Sequence, residues 1–173
     1  MKRIFILLCL FISSIGFGQD STFVVSQDTT VEFKDYKFKF KNNIQFELLG
    51  TGGLYSVNYE RFLVNRNRFK TSVQLGISPM FRTSWNGLSI PISITELFSF
   101  KKHHLELGIG IAPNFVSHEN HGNSWESLLN GRVGYRFQKP SGRFVFRAGY
   151  TPFLYFPDNK FIHWGGISIG YSF

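Results

Sequence analysis

Three glutamates and three arginines occur where their side chains could meet in one buried network. Each lies in a run of alternating apolar and polar residues, and each takes the polar parity of its run. Opposite charges that share a buried face form ion pairs, because burying one of them alone would cost several kcal/mol. The sequence therefore predicts a structural ion-pair network, with a proton or ion path as the alternative, formed by Glu47, Glu60, Glu106, Arg132, Arg136 and Arg147.

A group of histidines and carboxylates farther along the chain could bind a metal ion. His118 and His121 have the His-x-x-His spacing, and Glu119 and Glu126 lie nearby. That spacing suits a metal on a helical turn, whereas this segment is rich in Gly and Asn, and a metal site needs four ligands held by further contacts. We therefore predict polar loop residues here, with no metal and no cofactor.

Eight alternating runs would position these side chains. Apolar residues recur at every second position, which is the period of a strand and not of a helix. Clusters of Gly, Asn, Pro and Ser separate the runs and form turns. The runs are Ile44 to Gly50, Leu54 to Leu63, Phe69 to Arg82, Leu88 to Phe100, Leu105 to His118, Leu128 to Gln138, Arg143 to Phe156 and Phe161 to Phe173.

One face of these runs is continuously apolar, and the opposite face is small, polar or charged. Eight strands enclose too little volume for so many aromatic rings, so the apolar face must point outward, against lipid. Tilted strands of roughly ten residues are what a membrane-spanning barrel requires. We therefore predict an all-β fold, an eight-stranded antiparallel transmembrane β-barrel of up-and-down meander topology with a filled lumen. An open porin is disfavoured, because water-filled channels have about sixteen strands.

Glu96 departs from this pattern, because its parity places a carboxylate on the lipid face. A β-bulge would re-aim the side chain. We therefore expect either a bulge at Glu96 or a position close to the membrane interface.

The first residues have the features of a secretory signal peptide. Lys2 and Arg3 precede an apolar run that is too short to span a bilayer, and small residues follow it. Cys9, the only cysteine, lies inside this run, so we expect neither lipidation nor a disulfide in the mature chain. The predicted organisation is a cleaved signal peptide at 1–18, a periplasmic N-terminal extension at 19–42 and the barrel at 43–173. The extension either folds against the barrel mouth or is mostly disordered.

The last strand carries a recognisable pattern. "ISIGYSF" places Ile167, Ile169, Tyr171 and Phe173 at alternate positions and ends on an aromatic ring. It resembles the carboxy-terminal signature of Gram-negative outer-membrane barrels, and with the eight runs and the signal peptide the chain is similar to the small eight-stranded barrels of the OmpA-domain or PorT-like kind. The resemblance implies residence in the outer membrane and recognition of these four residues by the barrel-assembly machinery.

With both ends of the barrel periplasmic, the connectors after even-numbered strands face the periplasm, and the others face outward. The longest outer loop is then Glu119 to Ser127, and the periplasmic side holds most of the excess positive charge of this +8 chain. Basic residues there suit either contact with lipid head groups or solvated turns. The expected surroundings are outer-membrane lipid and lipopolysaccharide, with an unknown protein partner at the outer loops or the periplasmic face as a further option. The export signal makes nucleic acid improbable.

The expected role is structural or interactive, with no catalytic residue. The alternative is an enzyme that modifies lipid A as a deacylase or acyltransferase does. Such deacylases place a histidine and a serine two residues apart on one strand. None of His104, His118, His121 and His163 is followed by a serine at that distance.

Overall fold

The computed structural model of the protein describes residues 36–82, 85–118, 122–155 and 160–173. Every regular element in these ranges is a β-strand. None of the described segments is a helix long and apolar enough to cross a membrane. The strands are β1 (Asn42–Leu49), β2 (Tyr55–Asn65), β3 (Phe69–Arg82), β4 (Trp85–Ser89), β5 (Ile92–Phe100), β6 (His103–His118), β7 (Gly122–Gln138), β8 (Phe144–Tyr150), β9 (Phe153–Tyr155), β10 (Lys160–Ile162) and β11 (Gly165–Ser172).

The eleven segments make up eight barrel strands, because three barrel strands are each divided into two segments: β4 with β5, β8 with β9, and β10 with β11. β4 and β5 both pair with β3 and β6, on either side of Pro91, and β8 and β9 both pair with β7, on either side of Pro152. Proline has no N–H to give to a ladder. β10 and β11 are separated by His163 and Trp164. The predictions of uninterrupted runs at 88–100, 143–156 and 161–173 are therefore wrong in this detail.

The backbone beside each interruption is still hydrogen-bonded to a neighbouring strand. The carbonyls of Pro91 and Pro152 accept from Gly76 N at 2.8 Å and Gly131 N at 3.0 Å, and Thr151 N donates to Trp164 O at 2.9 Å. Such bonds matter in a bilayer, where an unpaired backbone group costs several kcal/mol. The hydrogen-bonded wall of the barrel therefore continues past each interruption.

Pairing of the last strand with the first closes the barrel. β11 runs antiparallel to β1, with Ser172 opposite Asn43 and Gly166 opposite Leu49. Phe173 and Asn42 extend this pairing, since each backbone N–H donates to the other's carbonyl, at 2.9 and 3.2 Å. The backbone of Phe173 is therefore held by the first strand. The predicted fold class, an eight-stranded antiparallel barrel with up-and-down neighbours, is confirmed.

The two faces of the wall have opposite character, as the alternation predicted. Ile94 and Ile109, which pair across β5 and β6, are 55% and 57% exposed on the outer surface. The charged and amide side chains of the other parity are buried inside. A water-exposed apolar belt would be unfavourable by about 25 cal/mol per Å². A surface of this kind suits a lipid environment.

Glu96 lies on the outer face of β5, as its parity required, but no bulge occurs there. It pairs with Thr71 in a continuous register, and Thr71 Oγ1 donates to its carboxylate at 2.6 Å. The register shifts instead between Phe62 and Val64 on β2. Of the two expectations for Glu96, the bulge is therefore wrong, and a position close to the membrane interface stays a prediction. The Thr71 hydroxyl is the group that partners the outward carboxylate.

The outer loop predicted at Glu119 to Ser127 is largely a strand. β7 begins at Gly122, and Trp125 pairs with Phe115 of β6, with their ring centroids 5.1 Å apart. The polar residues that indicated a loop therefore belong to an extension of the β6–β7 ladder. Residues 119–121, including His121, lie outside the described residues.

Candidate functional site

All six charged residues predicted for the lumen point into it. They come from five strands: Glu47 from β1, Glu60 from β2, Glu106 from β6, Arg132 and Arg136 from β7, and Arg147 from β8. None of the six side chains is more than 3% exposed. Because inward positions alternate along a strand, residues two or four apart share the lumen. The structure brings all six into one connected set of contacts.

Glu106 is the centre of this set, because it contacts all three arginines. Its carboxylate accepts from Arg132 Nε at 2.9 Å, from Arg147 Nε at 2.9 Å and from Arg136 Nη1 at 3.3 Å. One buried carboxylate is therefore shared by three guanidinium groups that reach it from two strands. Charge-assisted bonds of this kind are among the stronger hydrogen bonds in proteins.

Beyond the Glu106 contacts, a second ion pair joins Arg132 to Glu47 on the opposite wall. Arg132 Nη1 donates to Glu47 Oε1 at 2.8 Å, and Glu47 Oε2 accepts from Thr51 Oγ1 at 2.9 Å and Thr51 N at 3.2 Å. Thr51 belongs to the turn between β1 and β2. Glu47 therefore connects the cross-lumen network to the turn that closes over it.

Two glycines of this turn, Gly50 and Gly53, allow a testable prediction about the contact with Glu47. Gly50 has φ +106°, and a Cβ there would lie 2.5 Å from Glu47 Cδ. Gly53 has φ +96°, but a Cβ there would meet nothing within 4 Å. Both Ala variants should carry a backbone strain of roughly 1–2 kcal/mol, and only Gly50→Ala should also displace Glu47. We expect a lower urea midpoint for Gly50→Ala than for Gly53→Ala, measured by the gel mobility of folded and unfolded barrel. Equal midpoints would show that the Glu47 contact contributes nothing.

The third ion pair, Arg136 with Glu60, lies toward the end of the barrel at which Asn42 and Phe173 are hydrogen-bonded to each other. Arg136 Nη1 donates to Glu60 Oε1 at 2.9 Å, and Arg136 also donates to Gln138 Oε1 from Nη2 at 2.6 Å. Glu60 Oε2 accepts from Asn43 Nδ2 at 2.8 Å and from Gln45 Nε2 at 2.7 Å. Both oxygens of the carboxylate are thus used.

Several lumen residues were not predicted as part of the network. Arg147 Nη1 donates to Gln45 Oε1 at 2.6 Å and to Gln74 Oε1 at 2.7 Å. Lys70 and His104 are also buried, and Ser99 Oγ bonds to both, at 2.7 Å from Lys70 Nζ and 2.8 Å from His104 Nδ1. The alternation of the strands indicates that both side chains point inward, because Lys70 lies two residues from Ser72 and His104 two residues from Glu106. The sequence prediction did not use this pattern for either residue.

Residues 36–41 cover the lumen at this same end. Phe38 is 3% exposed, and its ring lies 4.9 Å from that of Phe62 and 5.1 Å from that of His104, between centroids. Phe38 N donates to Asn65 Oδ1 at 3.0 Å, and Asn65 Nδ2 donates back to Phe38 O at 2.8 Å. Of the segment predicted as an extension at 19–42, residues 19–35 lie outside the described residues.

Buried side chains toward the other end of the barrel are less completely hydrogen-bonded. Among the described residues, buried side-chain atoms without a partner are Asn58 Oδ1, both amide atoms of Asn130, Arg132 Nη2, Thr151 Oγ1, Trp164 Nε1 and Ser168 Oγ. An unsatisfied buried polar atom is unfavourable by about 1–3 kcal/mol. The network is therefore tightest around Glu60, Glu106 and Arg136.

The residues of the predicted assembly signal all point outward. Ile167, Ile169, Tyr171 and Phe173 are each about half exposed, and Arg143 Nη1 donates to the Tyr171 hydroxyl at 2.5 Å. Ser172 is inward and buried, and it bonds to Asn43 and Gln138. The four side chains thus form a row on the outer surface of the closing strand.

The histidine contacts of the described residues differ from the arrangement that a lipid A deacylase needs at the membrane face. His104 bonds to Ser99, but it is buried inside the barrel and its Nε2 is bonded to Gln138 O at 3.0 Å. His163 Nδ1 lies 2.7 Å from the Tyr150 hydroxyl, beside a shallow groove of about 500 Å³ that Leu49, Trp164 and three neighbouring residues also line. That lining has neither a serine nor a carboxylate. In the described part of the chain, no three His, Cys, Asp or Glu residues are grouped as metal ligands. The candidate pair His118 and His121 cannot be placed, because the His118 side chain and residue 121 lie outside what the structure describes.

Comparison with known proteins identifies solved structures with a similar fold. No protein-family model matches the sequence, and no curated protein matches it. The structure is similar to the N-terminal β-barrel domain of Pseudomonas aeruginosa OprF, with a TM-score of 0.56 and 10% identity over 79% of this chain and 99% of that one. Neisserial surface protein A (TM-score 0.46, 15% identity, 77% of this chain and 95% of that one) and Ail of Yersinia pestis (0.41, 15%, 78% and 95%) are also similar. The chain has the fold of a small eight-stranded outer-membrane β-barrel, as the OprF domain has.

Proposed function

We propose that this protein is an outer-membrane β-barrel with a closed, charge-filled lumen and a structural or interaction role. The observation that carries the proposal is the connected network of ion pairs. Three arginines of β7 and β8 converge on Glu106 of the adjacent β6, and two of them, Arg132 and Arg136, also reach across the lumen to Glu47 and Glu60. A water-filled pore leaves its wall charges separated by solvent. Here the side chains bond to one another instead, so the barrel interior acts as its core.

The inverted distribution of polarity supports a location in a membrane. Large apolar side chains such as Ile94, Ile109 and Ile169 are more than half exposed, whereas Glu60, Glu106 and Arg136 are fully buried. Such a molecule is stable when lipid covers its outer surface and every backbone group of the wall is paired. We further propose export through a cleaved signal peptide at 1–18, a periplasmic extension at 19–42, and insertion by the barrel-assembly machinery among outer-membrane lipid and lipopolysaccharide.

The proposal does not extend to lipid A modification. That alternative needs a histidine positioned against a nucleophilic serine or a carboxylate at the membrane face. His163 instead contacts Tyr150 and the ring of Phe161, whose centroid lies 5.0 Å away. A non-enzymatic role is the one we propose.

The location is tested by fractionating cells that make the full chain. We expect the mature protein in the outer-membrane fraction, with a different gel mobility before and after boiling, because a closed barrel resists unfolding by detergent. Recovery in the soluble periplasm without a mobility difference would refute the proposed location and function.

A further inference from the structure

A cleft lies beside the mouth of the barrel that residues 36–41 cover. It has a volume of about 620 Å³ and is lined by three segments: 36–39, the β5–β6 turn at Lys101 and Lys102, and the β7–β8 turn at 139–141. Lys39 N donates to Pro140 O at 2.8 Å and fixes the first segment to the third. The cleft is thus bounded by backbone held in place on the strands.

The charged residues of the described part of the chain that line this cleft are all basic. Its lining includes five lysines and no described carboxylate: Lys37, Lys39, Lys101, Lys102 and Lys139. Lys39, Lys101, Lys102 and Lys139 are all exposed, and no salt bridge joins them to a described carboxylate. Lysine ammonium groups are compact charges that bind phosphate oxygens. Their convergence favours an anionic ligand.

The side of the cleft nearest the wall has a different character. His103 lines the cleft and is exposed at the start of β6. It lies on the outward parity, its Nδ1 is 2.6 Å from the Tyr135 hydroxyl, and its ring centroid is 5.7 Å from that of Phe137. Aromatic residues in this position form the belt at the membrane–water interface. The cleft therefore opens where acyl chains end and head groups begin.

We propose that this cleft binds the phosphate of an anionic lipid headgroup in the leaflet on this side of the membrane. The lysines would contact the phosphate, while the acyl chains lie against the aromatic surface formed by His103, Tyr135 and Phe137. A free phosphate ion would use the lysines but not the aromatic side. The inference rests on the proposed function, since it requires the barrel to be inserted with its belt in lipid.

The test compares two double variants that remove the same charge from turns at the same end of the barrel. Lys102→Gln/Lys139→Gln alters the cleft, whereas Arg66→Gln/Arg68→Gln alters the exposed β2–β3 turn, which does not line it. The refolded mature chain is titrated with a fluorescent phosphatidylglycerol in phosphatidylcholine micelles. We expect the lysine variant to bind about tenfold more weakly and the arginine variant to bind as the unmutated protein does.

Each other outcome overturns the inference. An equal loss in both variants would mean that general surface charge attracts the lipid, and equal competition by inorganic phosphate would mean that a free ion is the ligand. A chain with normal heat-dependent gel mobility that fails to bind refutes the headgroup site alone. A chain with no mobility difference refutes the barrel function and this inference together.

Discussion

Replacing Phe173 with Asp should sharply reduce the amount of assembled protein in the outer membrane. The substitution leaves the backbone bonds between Phe173 and Asn42 available, but it puts a carboxylate where an aromatic ring now lies on the outer surface of the closing strand. It also removes the last member of the row that resembles an assembly signal. Assembled protein is measured by the heat-dependent gel shift and by protection from external protease.

Two variants control for general damage to this strand. Phe173→Tyr keeps an aromatic ring and should assemble normally. Ser168→Ala lies inside the barrel on the same strand and removes a hydroxyl that has no hydrogen-bond partner, so it should have little effect. Ser172→Ala is a poorer control, because Ser172 bonds to Asn43 and Gln138. Equal assembly of Phe173→Asp and Ser168→Ala would refute recognition by the outward row.

Replacing Glu106 with Gln should destabilise the folded barrel by about 3–5 kcal/mol, because breaking a buried ion pair leaves its partner charge uncompensated. Gln has nearly the same shape, so packing is kept while the charge shared by Arg132, Arg136 and Arg147 is lost. The free energy of unfolding is measured by urea titration in lipid vesicles, followed by gel mobility.

A double variant distinguishes lost charge balance from lost packing. Glu106→Gln/Arg147→Gln removes one charge of each sign, so its destabilisation should be smaller than the sum of the two single effects, as for residues that interact directly. Strict additivity, or a Glu106→Gln variant as stable as the unmutated protein, would contradict the central position assigned to Glu106.

The sequence predicted the two faces of the wall because alternation is a direct consequence of strand geometry. The same rule brought Glu106 and Arg147 to one lumen although they are far apart in the chain. It could not give their partners, since pairing across a lumen depends on strand tilt and stagger. A proline within an apparent strand did not by itself predict the interruptions at Pro91 and Pro152, because Pro79 and Pro113 lie within the uninterrupted strands β3 and β6.

The lid over the lumen, which is residues 36–41 with Phe38 at its centre, could not be predicted in the same way. Phe38 precedes the first strand, where neither period 2 nor turn chemistry fixes its direction. Its position depends on Asn65 and Phe62, which lie on β2, and on His104 of β6. The prediction of a loop at Glu119 to Ser127 was wrong for a related reason. Polar residues such as Ser124 and Glu126 are compatible with a strand when a long partner strand is present.

Electrical recording in planar bilayers tests the closed lumen most directly. The purified, refolded mature chain is added to the bilayer, and a water-filled porin recorded in parallel establishes the sensitivity. If the cross-lumen network and the Phe38 lid close the barrel, inserted protein should give no stepwise current at either polarity. Reproducible conductance steps from the unmutated protein would contradict a filled lumen and indicate a continuous path for ions.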